Sequence, residues 1–315
     1  MSQNICEFLR ESVIRDLLKL KTVKKCWPIW EKAILKNITP LNETKVLGLG
    51  DSLSSIFELT GKKGRTQSDV SGGGTAWEAL VCWYLNLCLI GSRTVVVKHS
   101  KKWLPKPVSD AITVTYSNFP SNTESDLIAI TFPDRQEYSI DKDLINVLDV
   151  EGQLVPTITG KSKKKYNYNK VINSLLEKHL SECEIGIIQC KTNWNDNSQI
   201  PMLWDMIYAS KGFKNNINVG TEGFSIHQVK KFTYSFVTVP TNNHSNFKET
   251  STPVKRVQNI SGGNYWGRAS KASVVLSIKE IFNKNFTSGS STGLRDRLRN
   301  ELQFLGNKYE YFSVH

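Results

Sequence analysis

The chain reads as an α/β protein, a mixed central β-sheet flanked by helices with a helical N-terminal region. Three observations predict this class. Glu184–Trp194 (Glu-Ile-Gly-Ile-Ile-Gln-Cys-Lys-Thr-Asn-Trp) is a short, apolar, β-branched run of the kind that fills a buried strand. Further strand-like runs start near Arg93, Ala111, Asp126 and Lys231. Between and before them, apolar residues recur at helical spacing. At 315 residues the chain can bury a sizeable core. A division near residue 60 is expected, with a helical region over 1–60 and a larger unit over 61–315.

Taken in order, Ile5, Phe8, Leu9, Val13, Leu17 and Leu20 predict a helix over residues 3–21. A second covers Trp27–Asn37 and ends before Thr39-Pro40. Residues 60–74 form a basic, glycine-rich stretch that opens into a strongly apolar helix over Thr75–Ile90. A glycine-rich entry to a helix can bind phosphate through free N–H groups, and Lys62, Lys63 and Arg65 suit contact with a DNA backbone. A solvated loop fits the same composition. Thr75-x-x-Glu78 matches a capping box, which makes Glu78 a helix cap; the alternative is a carboxylate beside Asp126.

Arg93–His99 and Ala111–Tyr116 read as strands, and the polar turn Ser117–Ser125 leads into the strand opened by Asp126. The expected pairing is antiparallel, between the 111–116 strand and the Asp126 strand. Residues 134–183 insert before the central strand. They carry a cationic run of Lys161, Lys163, Lys164 and Lys165 with Tyr166 and Tyr168 beside it, a composition suited to nucleic acid. A helix from about Asn169 to Cys183 follows. After the central strand come a polar turn, a helix begun by Pro201–Tyr208, a strand over Lys231–Val239 and a polar loop over Thr241–Thr252. Tyr265 and Trp266 read as packing anchors in a glycine–aromatic turn, followed by helices over Lys271–Asn283 and Leu294–Phe304.

Charge and cysteine usage narrow the function classes. There are 41 Lys and Arg against 29 Asp and Glu, a net charge of +12 and a pI near 9.3. That balance favours a polyanionic partner, and it also fits a basic soluble protein without one. The 6 cysteines include no C-x-x-C pair, and no histidine stands at zinc-ligand spacing. Reduced, mostly buried thiols in a cytoplasmic protein are expected. The N-terminus has no basic start or apolar core of a signal peptide. Ala76–Ile90 is too short to span a bilayer and carries Glu78 and Asn86. There is no P-loop ending and no dinucleotide fingerprint, so nucleotide binding is not expected.

The central strand carries the chemistry. Gln189 and Lys191 stand two residues apart, on one strand face, at its end. Asp126 places a carboxylate where a neighbouring apolar strand begins. Asp126, Gln189-x-Lys191 and Glu78 on a preceding helix resemble the PD-(D/E)xK nuclease superfamily. Size, basic charge and element order are similar to type II restriction endonucleases, over roughly residues 61–240. Ser125 stands where the motif has Pro, and Gln189 stands where it has Asp or Glu. The amide can ligate Mg²⁺ but removes one anionic ligand.

The resemblance implies a restriction-endonuclease-like fold and Mg²⁺-dependent hydrolysis of double-stranded DNA at a short specific sequence. Asp126, Gln189, the Cys190 backbone carbonyl and Glu78 would hold the metal. Lys191 would orient the nucleophile and offset charge on the phosphate. It also implies a homodimer on a palindromic site, a cognate DNA methyltransferase, and a bacterial cell interior. Base-contacting candidates lie in the 61–74 loop, the 134–168 insertion, the 193–200 loop with Asn193, and the 241–270 loops. A non-catalytic DNA-binding protein on the same fold, or a structure-specific repair nuclease, remain the competing readings.

Overall fold

A computed structural model describes residues 3–61, 67–98, 100, 102–116, 118–121, 125–160, 165–192, 217–239, 248–267 and 274–314. The architecture is mixed α/β: a six-stranded mixed sheet with nine helices among the described residues. The helices α1 (Ile5–Lys19), α2 (Lys21–Ile38) and α3 (Glu43–Glu58) come first. Asn4 and Asn42 cap α1 and α3, each accepting from a backbone N–H three residues on at 2.9 Å. The chain therefore breaks at Leu20, inside the single helix expected over 3–21, and α3 is a helix that the sequence reading passed over.

The long helix α4 (Gln67–Cys88) is the apolar spine, with Trp77, Trp83, Tyr84 and Leu85 fully buried. Its start corrects the expected loop, because residues 67–74 are already helical. Three strands then form an antiparallel meander, β1 (Thr94–Lys98), β4 (Leu127–Thr131) and β7 (Glu184–Lys191). Strand β9 (Lys231–Thr238) lies parallel to β7, and β10 (Tyr265–Gly267) and β11 (Leu276–Ser277) continue the sheet in parallel. Strands β4 and β7 are almost wholly buried, which is why their sequences are continuous apolar runs rather than alternating ones.

Two side chains fix α4 on this sheet. Asn86 acts as a strand surrogate on the edge strand β1, its amide donating to the Val96 carbonyl at 2.7 Å and accepting from the Val96 N–H at 3.1 Å. This satisfies edge groups that would otherwise be buried unpaired. Trp77 donates from its indole to the Val237 carbonyl on β9 at 3.3 Å. At the far side of β9, Gly267 has φ +148°, and a Cβ there would collide with the Thr238 carbonyl, so only glycine permits the β9–β10 approach.

The expected pairing of residues 111–116 with the Asp126 strand is not what forms. Lys106–Ile112 is helix α5, started by a proline in its first turn. Strand β2 (Val114–Tyr116) belongs instead to a small separate sheet with β3 (Phe119–Ser121) and β8 (Ile217–Val219). The partners of β4 are β1 and β7, and the pairing with β1 buries both apolar runs. Residues 158–159 and 165–166 make a short two-stranded ladder, β5 and β6. The helix expected over 169–183 is α6 (Tyr168–His179), closed by a 3₁₀ turn at Leu180–Glu182.

Thr252–Ile260 is a second helix unread in the sequence, α7. Where a helix over 271–283 was expected, the described residues form β11, a 3₁₀ turn and the short helix α8 (Ile281–Lys284). Helix α9 (Leu294–Leu302) falls within the expected 294–304. The helix begun by Pro201–Tyr208 lies outside the described residues.

Of two apolar clusters among the described residues, the smaller gathers Phe236, Val254, Val257, Tyr265, Val274 and Val275, and the larger runs from Ile5 through α4 and the sheet to Val314. A buried polar cluster ties its ends. Arg10, fully buried, pairs with Glu7 at 3.1 Å and donates to the Asn86 side chain and the Ser92 carbonyl. Glu7 in turn accepts from the Gly91 N–H at 2.9 Å. All six cysteines are free thiols. No described helix is long and apolar enough to cross a membrane.

Candidate active site

The polar ends of three strands meet at one end of the sheet. Lys98 closes β1, Asp126 immediately precedes β4, and Gln189, Cys190 and Lys191 close β7. Antiparallel register pairs Leu127 with Ile188, so Asp126 stands across from Gln189. The ladder does not simply fray there. The Asp126 carboxylate accepts the Cys190 N–H at 2.7 Å, taking the place of a backbone acceptor. One carboxylate oxygen is thus held against the backbone between Gln189 and Lys191.

Gln189 is only 1% exposed, and its carbonyl oxygen accepts from the Tyr234 hydroxyl at 3.3 Å. That interaction fixes the amide orientation and leaves a second lone pair on the oxygen. Tyr234 comes from β9, whose parallel register sets Gln189 beside Phe236 and Lys191 beside Thr238. Lys191 is half-buried at the last position of β7.

Glu78 corrects one expectation. Helix α4 begins at Gln67, so Thr75 is inside the helix and cannot cap it. With no capping box available, Glu78 projects from mid-helix and pairs with Lys98 at 2.7 Å, both side chains being partly buried. The Cys190 thiol is buried at the same strand end. Burial pushes it well up, and the Asp126 and Glu78 charges push it further, against a lowering contribution from Lys191. The Cys82 thiol is pushed up to about 12, mainly by burial, with Lys98 lowering it and Glu78 raising it. Both thiols are therefore protonated and inert as nucleophiles at neutral pH.

The structure thus brings Asp126, Gln189 and Lys191 together, with Glu78 on the adjoining helix. Two further groups, Lys98 and Tyr234, were missed in the sequence. Lys98 ends the strand read at Arg93–His99, and its role follows only once β1 is paired with β4. Tyr234 sits in a strand whose parallel register has no local signal. Among the described residues no group of three or more His, Cys, Asp and Glu is arranged to hold a metal ion.

The expected DNA contacts fare differently. Lys62, Lys63, Arg65, Lys161, Lys163, Lys164 and Asn193 lie outside the described residues, as do residues 194–200, 241–247 and 268–270 of the candidate loops. Lys165 is exposed on β6. Its aromatic neighbours pack against other side chains. Tyr166 sits edge-on to Phe8 at 5.1 Å, and Tyr168 is buried with its hydroxyl on the Trp103 carbonyl. Tyr265 and Trp266 are core residues, as expected. Within 241–270, residues 252–260 are helix α7 rather than loop.

No family model, curated protein or solved structure matches the chain. Its class therefore rests on the geometry of this sheet end.

Proposed function

We propose that the protein is a Mg²⁺-dependent endodeoxyribonuclease of the PD-(D/E)xK type, and within that type a restriction endonuclease acting on double-stranded DNA. The observation that carries the reading is the convergence of Asp126 with Gln189-x-Lys191 at adjacent strand ends. Support also comes from the order of the described elements, helix α4, the β1–β4–β7 meander, then a parallel strand; the helix that the resemblance puts before that last strand lies outside the described residues. This is the order the resemblance implies for a restriction-endonuclease-like fold. The +12 charge fits a nucleic-acid partner.

The donor atoms fit the metal. The Asp126 and Glu78 carboxylates, the Gln189 amide and the Cys190 backbone carbonyl offer only oxygen, the ligand type that hard Mg²⁺ takes. A bound Mg²⁺ would supply a lowered pKa for ligated water and neutralisation of phosphate charge. This chain's own residues do the rest. Asp126, pinned on the Cys190 N–H, fixes the anionic ligand against the backbone. Tyr234 orients the Gln189 oxygen. Lys191, on the same strand face as Gln189, would hold the scissile phosphate and the attacking water by charge and hydrogen bonding. A homodimer on a palindromic sequence, a partner methyltransferase and a cytoplasmic location belong to the same proposal.

One observation favours a second reading, a DNA-binding protein that does not cut. Glu78 is already paired with the Lys98 ammonium, so that carboxylate is balanced before any metal arrives. A plasmid digest in Mg²⁺ and in EDTA separates the two. Discrete fragments in Mg²⁺ alone support restriction, nicking that follows DNA structure supports a repair nuclease, and retardation without cleavage overturns the enzyme.

A further inference from the structure

The Glu78–Lys98 pair carries an inference that rests on the nuclease reading and deepens it. The pair is close, at 2.7 Å, with side chains 18% and 30% exposed. It is not needed to attach α4 to the sheet, since Asn86 on β1 and Trp77 on β9 already make that attachment. Lys98 instead answers an electrostatic problem. Without it, Glu78 would stand as an unbalanced carboxylate at the strand end that Asp126 opens, because Lys98 pairs in register with Leu127, the residue after Asp126. A divalent cation would solve the same problem, so ammonium and metal compete for one carboxylate.

We propose that Lys98 is the resident counter-ion of Glu78: it holds that carboxylate until a DNA phosphate draws the ammonium away and frees Glu78 for the metal. Metal uptake is then coupled to DNA binding, since the phosphate returns the negative charge that Gln189 does not provide. The free protein holds divalent ions weakly, and the coupling is reciprocal by linkage. Lys98 is a positioning residue in this scheme, acting through Glu78.

The test is a Mn²⁺ titration of the full chain, read from the spin-resonance signal of free Mn²⁺, without DNA and with a phosphorothioate duplex that resists hydrolysis. Lys98→Met removes the ammonium and keeps the aliphatic stem; Lys98→Arg keeps the charge. Removing a unit charge this close to the site should tighten Mn²⁺ binding by the free protein about tenfold or more. Lys98→Arg should stay near wild type, and the gain on adding duplex should shrink in Lys98→Met. A Lys98→Met affinity within about twofold of wild type, in a protein that melts normally, overturns the counter-ion role. An equal gain in Lys98→Arg overturns it too, because packing rather than charge would then be the cause. If wild type cuts DNA while Lys98→Met leaves Mn²⁺ affinity unchanged, the nuclease reading survives and the counter-ion role does not. If Lys98→Met tightens Mn²⁺ binding but the protein neither binds nor cuts duplex, the coupling to DNA falls together with the nuclease reading.

Discussion

Gln189→Glu supplies the carboxylate that the proposed nuclease motif carries at this position, and its consequences can be worked from the structure. Position 189 is 1% exposed, so an ionised carboxylate there is desolvated. It would keep the Tyr234 hydroxyl as a donor and feel Lys191 two residues on, but it also stands across from Asp126. An uncompensated buried charge costs about 3 kcal/mol. For a chain of this size that is a fall in Tm of roughly 5 °C in EDTA.

The introduced carboxyl has its folded pKa raised above the unfolded value of about 4.3. The penalty is therefore absent below that pH, grows as pH rises, and is complete above the folded pKa. Mg²⁺ reverses the effect, because a cation bound at a hundred times its Kd returns about 2.7 kcal/mol. Scanning calorimetry of the variant at pH 5 and 8, in EDTA and in Mg²⁺, reads all of this, with wild type as reference. A Tm in EDTA equal to wild type at both pH values, with no response to Mg²⁺, would refute the placement of residue 189 in a buried metal site.

Three further outcomes are expected. Asp126→Asn keeps an acceptor for the Cys190 N–H, so it should melt near wild type while losing Mg²⁺-dependent cleavage; Asp126→Ala loses the bond as well and should be about 1–2 kcal/mol less stable in urea. Equal stability of the two variants would remove Asp126 from the ladder. Lys191→Ala should abolish cleavage yet leave duplex affinity within about tenfold, with a salt slope shallower by roughly one, because one lysine among many adds little to phosphate attraction; wild-type cutting by this variant would sink the central-strand argument. At the far end of the chain, burial alone would raise the Glu301 carboxyl, but hydrogen bonds from Tyr309 and Lys308 hold it below the usual carboxylate range. Its contribution is present above the unfolded pKa and lost as pH falls through the folded one. Urea unfolding of Glu301→Gln against wild type should therefore show a deficit at pH 7 that closes in acid.

The sequence by itself determined the class of fold and the identity of the site's central strand. Ile185, Ile187 and Ile188 belong to a short, β-branched apolar run of the length a buried strand takes, and period-2 geometry then puts Gln189 and Lys191 on one face. Asp126 was legible for the same reason, as a charge at the mouth of an apolar strand. These are local properties, set within a few residues by side-chain alternation and burial. What the sequence left undecided was every relation between distant segments. Whether β4 pairs with residues 94–98 or with 111–116 depends on which partner buries more apolar surface, and helix α5 forms where the strand was expected.

Glu78 shows the same limit. A Thr three residues earlier is the signature of a cap, and only the helix's true start at Gln67 turns Glu78 into a mid-helix group free to meet Lys98. Tyr234 and Lys98 enter the site through strand register and helix packing, long-range choices that no spacing along the chain encodes. The chemistry of the candidate site was written locally; its charge balance was set by tertiary structure, because electrostatics acts through space rather than along the chain.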